Sequence, residues 1–251
     1  MEGRYADART LSLKALREAE QNGSGRERVG AVLDELGTTE YLDGRYKAAL
    51  RYFERLVELW DGISSEKAVA LSNLGQTLLA LGETTRAEKV LRQSIEISAK
   101  AGRPWHVLGQ VLYMTGRMGE SEEAQREALQ LADPGDSVLI ASTRNDLAAV
   151  YERAGRYGES IELLEQAITV SEPGQARARM TASLGSTHWK AGHKEQALEL
   201  LRQAKDEMEA AVGQGHEDTE RIVLTYAEVL REMGRKKEAK AVEAGLARGL
   251  R

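Results

Sequence analysis

Apolar residues recur at helical spacing along nearly the whole chain, and glycine interrupts the pattern at regular intervals. A small residue is followed seven positions later by glycine at six places: Gly37/Gly44, Gly75/Gly82, Gly109/Gly116, Ala148/Gly155, Gly185/Gly192 and Ala227/Gly234. The spacing inside each pair is constant. From Gly37 through Gly75, Gly109, Ala148 and Gly185 to Ala227 the small residue advances by 38, 34, 39, 37 and 42 residues. Self-similarity at a period of this size predicts a solenoid of stacked helical hairpins.

Each unit reads as two helices around a glycine turn. In Leu36–Phe53 the first helix carries its small residue, Gly37, where a neighbouring helix must come close. Gly44 ends that helix, because glycine adopts the left-handed C′ conformation without a Cβ penalty. Tyr46 then opens the packing face of a second helix. Ala49 and its equivalents Ala87, Ser121, Ser160, Ala197 and Ala239 are all small. Helices crossing at about 8–10 Å have no room for a large side chain at that point. From each glycine turn to the next small residue the gap runs from 27 (Gly82 to Gly109) to 35 (Gly192 to Ala227), so insertions fall in the second helix or the connection after it. Pro134 and Pro173 fall in such connections, and Pro104 suits a helix start, where its missing N–H costs nothing.

The pattern Leu-Gly…Gly-x-Tyr-x-x-Ala resembles the tetratricopeptide repeat, a helix–turn–helix of about 34 residues. The segment Val212–Thr219, followed by Tyr226-Ala227-Glu228-Val229-Leu230, is similar to the longer repeat of kinesin-light-chain-type proteins. The resemblance implies an all-α, right-handed superhelical solenoid of stacked antiparallel helix pairs, with about six repeats plus an N-terminal half-repeat. One domain over residues 1–251 is expected, with 1–21 as a half-repeat or N-terminal cap, 22–28 as a loop and 29–251 as six helical hairpins. Gly3-Arg4-Tyr5-Ala6-Asp7-Ala8 matches the turn and second helix of a unit whose first helix is absent. The glycines of Gln21–Gly25 are read as a linker and not a phosphate cradle, since no Lys-Ser/Thr follows them. No polar capping helix follows the last unit, which ends at Arg251, so self-association through uncapped ends is a further expectation.

Composition narrows the function classes. Of 251 residues 41% are hydrophobic and 30% charged, enough for a continuous core. No apolar run approaches the ~20 residues that span a bilayer, so no membrane insertion is expected. The chain has no cysteine, which excludes disulfides and thiol chemistry and suits a cytoplasmic location, with a removed signal peptide left open. The 35 basic and 40 acidic side chains give a net charge of −5, which argues against nucleic acid as a partner. The basic residues of the last helix, among them Arg235, Lys236, Lys237 and Lys240, are read as a solvated face favoured near a helix C-terminus.

No reaction chemistry emerges. His188 and His193 are five residues apart, which places them poorly on one helical face, and no Glu-x-x-His accompanies them. The acidic runs Glu120-Ser121-Glu122-Glu123 and Glu217-Asp218 suit helix starts. No catalytic residue, metal or cofactor is expected, and the chain is not expected to be an enzyme.

The remaining candidate is the concave wall that the first helices line in such a superhelix. Positions counted from Gly37 and its equivalents place Tyr41, Asn73, Gln76, His106, Gln110, Tyr113, Asn145, Trp189 and Lys190 on it, and Arg179 adds charge. Amides both donate and accept, so Asn73, Gln76, Gln110 and Asn145 suit the backbone of an extended peptide. The resemblance to the kinesin-light-chain type implies such contacts for Asn73 and Asn145. Tyr41, Tyr113 and Trp189 are candidate anchors. Arg103, His106, Arg153, Arg179, Lys190, Arg221 and Arg231 suggest an acidic peptide or a chain-terminal carboxylate. The Lys and Asn set of the family's carboxylate clamp is not matched. The expected function is therefore a protein-interaction adaptor that holds a partner's peptide or helix in its groove. The alternative is a regulatory or sensor module of a larger signalling protein.

Overall fold

The computed structural model describes residues 2–23, 25–62 and 64–249, and these form thirteen α-helices and no strand. They fall into two compact units, Met1–Ala132 and Asp133–Arg251. The first unit holds α1 (Glu2–Gln21), α2 (Arg26–Leu42), α3 (Tyr46–Leu59), α4 (Ser65–Ala80), α5 (Thr84–Ile97), α6 (Gly102–Met114) and α7 (Met118–Leu131). The second holds α8 (Ser137–Arg153), α9 (Tyr157–Thr169), α10 (Gln175–Lys190), α11 (Lys194–Val212), α12 (Glu217–Glu232) and α13 (Lys236–Gly249).

In the first unit α2 packs on α3, α4 on α5 and α6 on α7, and each hairpin leans on the next through α3–α4 and α5–α6. Helix α1 packs on α2 as a lone leading helix. The second unit repeats the scheme with the pairs α8–α9, α10–α11 and α12–α13, joined through α9–α10 and α11–α12. The fold is thus all-α and built of helical hairpins.

The six glycine turns have one geometry. Gly44 takes φ +72°, its N–H donates to Tyr41 O at 3.0 Å, and the next N–H, of Arg45, donates to Glu40 O at 2.8 Å. This is a Schellman motif, and it satisfies two carbonyls that the helix end would leave unpaired. The same six-residue bond closes the turn at Glu83→Leu78, Arg117→Leu112, Arg156→Tyr151, His193→His188 and Arg235→Leu230.

The small residues mark the helix crossings. A Cβ built on Gly37 would lie 2.6 Å from the Phe53 ring, and one on Gly75 would lie 2.6 Å from Leu91. At the other side of the crossing Ala49, Ala87, Ser121, Ser160, Ala197 and Ala239 are all 0% exposed. Ser121 donates to Gly109 O at 2.7 Å and Ser160 to Ala148 O at 2.9 Å, so both buried hydroxyls are satisfied by the facing helix. The longest second helix is α11, at 19 residues, and it accounts for the widest step in the repeat.

Two boundaries differ from expectation. Gly3 lies inside α1 and not in a turn, since α1 begins at Glu2. Helix α2 begins at Arg26, so the loop expected over 22–28 is shorter at its C-terminal side. Ser24 of that loop, and Arg251 at the chain end, lie outside the described residues.

Candidate binding surface

In the first unit the wall residues bridge neighbouring first helices. Asn73 Nδ2 on α4 donates to Asp34 Oδ1 on α2 at 2.9 Å. Burial pushes the Asp34 carboxyl above its ordinary value, and the Asn73 bond opposes that rise only in part. Tyr41 stacks at a tilt on Tyr46, with ring centroids 5.2 Å apart, and packs against the core. Its phenol is pushed up by burial and then by Tyr46, while a hydrogen bond with Gln76 works the other way.

His106 departs most from the groove expectation. It is buried, 8% exposed, with Nδ1 3.2 Å from Gln125 Oε1 on α7 and Nε2 3.3 Å from Gln110 Nε2. Its ring therefore faces the partner helix of its own hairpin and belongs to the interior, not to an open wall. The cause is Gln125, 1% exposed, which fills the space over Gly109 that an apolar residue fills in the first two hairpins. A buried amide needs polar partners, and the ring supplies one. Gln110 and Tyr113 are half-buried on the same helix.

In the second unit Asn145 is half-buried, with Nδ2 3.3 Å from Asp146 Oδ1. Lys190 Nζ lies 2.5 Å from Glu152 Oε1, and Thr187 Oγ1 donates to Glu152 Oε2 at 2.9 Å, so one α8 carboxylate receives two α10 donors. Arg179 lies 3.8 Å from Asp218 Oδ2, a carboxylate that also accepts from Gln175 at 2.8 Å and Arg221 at 2.6 Å. Arg231 pairs with Glu243 of α13. The cations expected to attract an acidic peptide are thus matched by the chain's own carboxylates at Lys190, Arg179, Arg221 and Arg231. Trp189 is half-buried against the Leu198–Leu201–Leu230 core, with Lys194 Nζ 5.7 Å from its ring centroid.

A concavity in the first unit was not anticipated. A cleft of about 660 Å³ opens between the N-terminal halves of α2 and α4. Leu56 and Trp60 of the α3 end floor it, Gly30, Ala31, Val69 and Ala70 line its sides, and Arg26, Glu27, Asp34, Asp61, Ser64 and Glu66 rim it. Gly30 permits this arrangement, since a Cβ there would meet Trp60 at 2.6 Å. Val69 is 57% exposed, an apolar side chain held in solvent at the mouth. The sequence window began three residues before Gly37 and so met only Asp34. The Gly30–Trp60 pair, a small residue one helical repeat before Gly37 with an aromatic closing the second helix, was the signal that marked the cleft.

The Schellman turns also bring together side chains that helical spacing keeps apart. At three of the turns the residues five apart stand next to one another: Glu40 pairs with Arg45, Arg156 lies 3.9 Å from the Tyr151 ring centroid, and His188 Nδ1 lies 3.1 Å from His193 Nδ1. His188 and His193, poorly spaced to share one helical face, meet because the chain between them leaves the helix at Gly192. Among the described residues no group of three or more His, Cys, Asp or Glu side chains converges as a metal site, and no helix is long and apolar enough to cross a membrane.

Comparison with known proteins agrees with this architecture. One tetratricopeptide-repeat family model matches residues 1–62 and 101–172, and a second matches 35–104 and 145–211. No curated protein matches the sequence significantly. Among solved structures the chain is similar to BtubC (BKLC) from P. vanneervenii, with a TM-score of 0.67 at 16% identity over 81% of this chain and 90% of that one. It is similar to kinesin-light-chain-like repeats from Podosopora anserina, with a TM-score of 0.58 at 19% identity over 74% of this chain and 97% of that one. It also resembles part of the APC/C hetero-tetramer Cut9-Hcn1, with a TM-score of 0.74 at 13% identity over 95% of this chain and 43% of that one. At such identities the likeness is one of fold.

Proposed function

Because the chain belongs to the tetratricopeptide repeat family, whose repeats mediate protein–protein interactions, we propose that it is a non-catalytic adaptor holding a partner's peptide segment against its first helices. The observation that carries this reading is the cleft between α2 and α4.

The energetics favour that cleft as the anchor point. Asn73, Gln76, Gln110 and Asn145 sit beside polar groups of this chain, so a bound peptide would exchange one hydrogen bond for another. Such exchanges are worth little net free energy, about 0.5–1.5 kcal/mol each, and they orient a ligand more than they hold it. Affinity then rests on apolar area, at about 25 cal/mol per Å² removed from water. Trp60 and Val69 offer that area at one place, and aromatic residues in pockets are the usual hot spots. Tyr41, Asn73 and Gln76 extend the same face along α2 and α4. Tyr113 in the first unit, and separately Asn145, Arg179, Trp189 and Lys190 on the first helices of the second unit, are proposed as further contacts.

Charge supports a basic or neutral residue at the cleft. Arg26 lies 3.3 Å from Asp61, and Glu27, Asp34 and Glu66 remain as excess carboxylates on the rim. The preference for an acidic partner is not carried forward, since Arg179, Arg221, Arg231 and Lys190 already face carboxylates.

A displayed library of random peptides, selected on the full chain, tests this reading. Peptides carrying an apolar residue beside Lys or Arg should be enriched. Their binding, read by fluorescence anisotropy, should weaken at least about tenfold in Val69→Glu, a substitution at an exposed site that leaves helicity intact. Selected peptides that bind the variant as tightly as the parent chain would overturn the cleft as the anchor.

A further inference from the structure

His188 and His193 stand at the one turn where the two side chains brought together by the Schellman motif are both imidazoles. His188 lies in the last turn of α10 and His193 immediately precedes α11. The His193 N–H donates to His188 O at 2.9 Å, and Gly192 holds φ +88°, so the backbone fixes the two Cα positions. The rings lie 5.3 Å apart between centroids at an interplanar angle of 51°, and their Nδ1 atoms are 3.1 Å apart.

Two neutral rings at that distance share one proton, with one Nδ1–H donating to the other Nδ1. A metal ion can take the place of that proton. Imidazole nitrogens bind Zn²⁺ at about 2.0–2.1 Å, so two of them on one ion stand about 2.9 Å apart at a right angle and about 3.3 Å apart at the tetrahedral angle. The observed separation lies between these limits. We propose that His188 and His193 form a two-point chelate for a divalent transition-metal ion of the kind imidazole favours, such as Zn²⁺, Ni²⁺ or Cu²⁺.

The turn removes most of the ordering cost, because both rings are already juxtaposed. The ion would cross-link the end of α10 to the start of α11. With only two protein ligands it would keep open positions for water or for a ligand from a bound partner. This inference is independent of the cleft and of the peptide-binding reading.

The test uses the full chain after treatment with chelator and removal of the chelator. Zn²⁺ and Ni²⁺ are titrated by calorimetry at pH 7.5, and the same samples are melted by circular dichroism. One ion per chain should bind, Tm should rise, and excess EDTA should reverse the rise. His193→Asn, at an exposed position, should keep its helicity and weaken binding by about ten- to a hundredfold. His216→Asn, at a remote histidine, should bind like the parent chain. Affinity should fall on acidification, because protons compete with the ion for the imidazole nitrogens. Absence of saturable binding would overturn the proposal. So would binding that His193→Asn leaves unchanged, since the pair would then be a hydrogen-bonded turn and nothing more.

Discussion

At the scale of single residues the crossings decide what can be changed. Gly37 sits where its absent Cβ would press into the buried Phe53 ring at 2.6, 2.7 and 3.0 Å from three ring atoms. An alanine there gains about 1 kcal/mol in helix propensity but must displace a rigid ring in a filled core, at about 1–3 kcal/mol. Overpacking wins, so Gly37→Ala should lower the thermal midpoint. Gly245, in the interior of α13, has nothing within 4 Å of a built Cβ. Gly245→Ala should therefore stabilise by about 0.5–1 kcal/mol. Paired melting curves check both signs, and a stabilised Gly37→Ala would sink the crossing argument. Asp34 offers a third residue-level outcome. Its carboxyl is raised by burial, so the folded state disfavours its charged form, and stability is lost as pH rises through the folded value. Asp34→Asn keeps an acceptor for Asn73 and removes that charge. It should melt higher than the parent chain at pH 7, with the gap narrowing as pH falls toward the ordinary carboxylate range. A gap that stays the same at every pH would show that charge is not the cause.

At the scale of helices the register was readable from two small residues and a glycine per unit, because each satisfies a constraint that few residue types meet. Gly44 must take a positive φ, and Ala49 must fit a crossing with no free volume. Pairings across the turns were not readable in this way. His188 and His193 are poorly placed for a helix, yet they meet because a Schellman turn folds the sixth residue back over the first. The state of the expected wall residues was not readable, since whether Asn73 faces solvent or Asp34 depends on the neighbouring helix. His106 was misplaced for a related reason: Gln125, nineteen residues away, draws it inward. The α8–α9 crossing tests the element-level argument. Ser160→Ala should cost only about 1 kcal/mol, the value of one hydrogen bond to Ala148 O, because four other hairpins already carry alanine there. Ser160→Leu should cost about 3 kcal/mol or more, since a fully buried crossing has no room for it. Equal losses in urea titrations of the two variants would contradict the close-packing account.

At the scale of the whole molecule the repeat period suggests one array, within which the residues group into two compact units that meet in sequence at Ala132–Asp133. The division falls beside Pro134, in the connection between α7 and α8, where the Asp136 side chain caps the new helix by accepting from Leu139 N at 3.0 Å. Each unit has a core of its own. The first centres on Leu33, Leu36, Phe53, Leu78, Leu91 and Leu112, and the second on clusters around Leu164, Leu184, Leu201, Met208 and Leu230. In a solenoid, stability is close to a sum of the intrinsic stability of each repeat and the coupling to its neighbours. A fragment that keeps three complete hairpins keeps all three intrinsic contributions and two of the couplings. Residues 133–251 expressed alone should therefore fold, with strong helical circular dichroism and a cooperative melt. A fragment that shows no cooperative transition would mean that the second unit depends on the first for its structure, and that the array folds only as a whole.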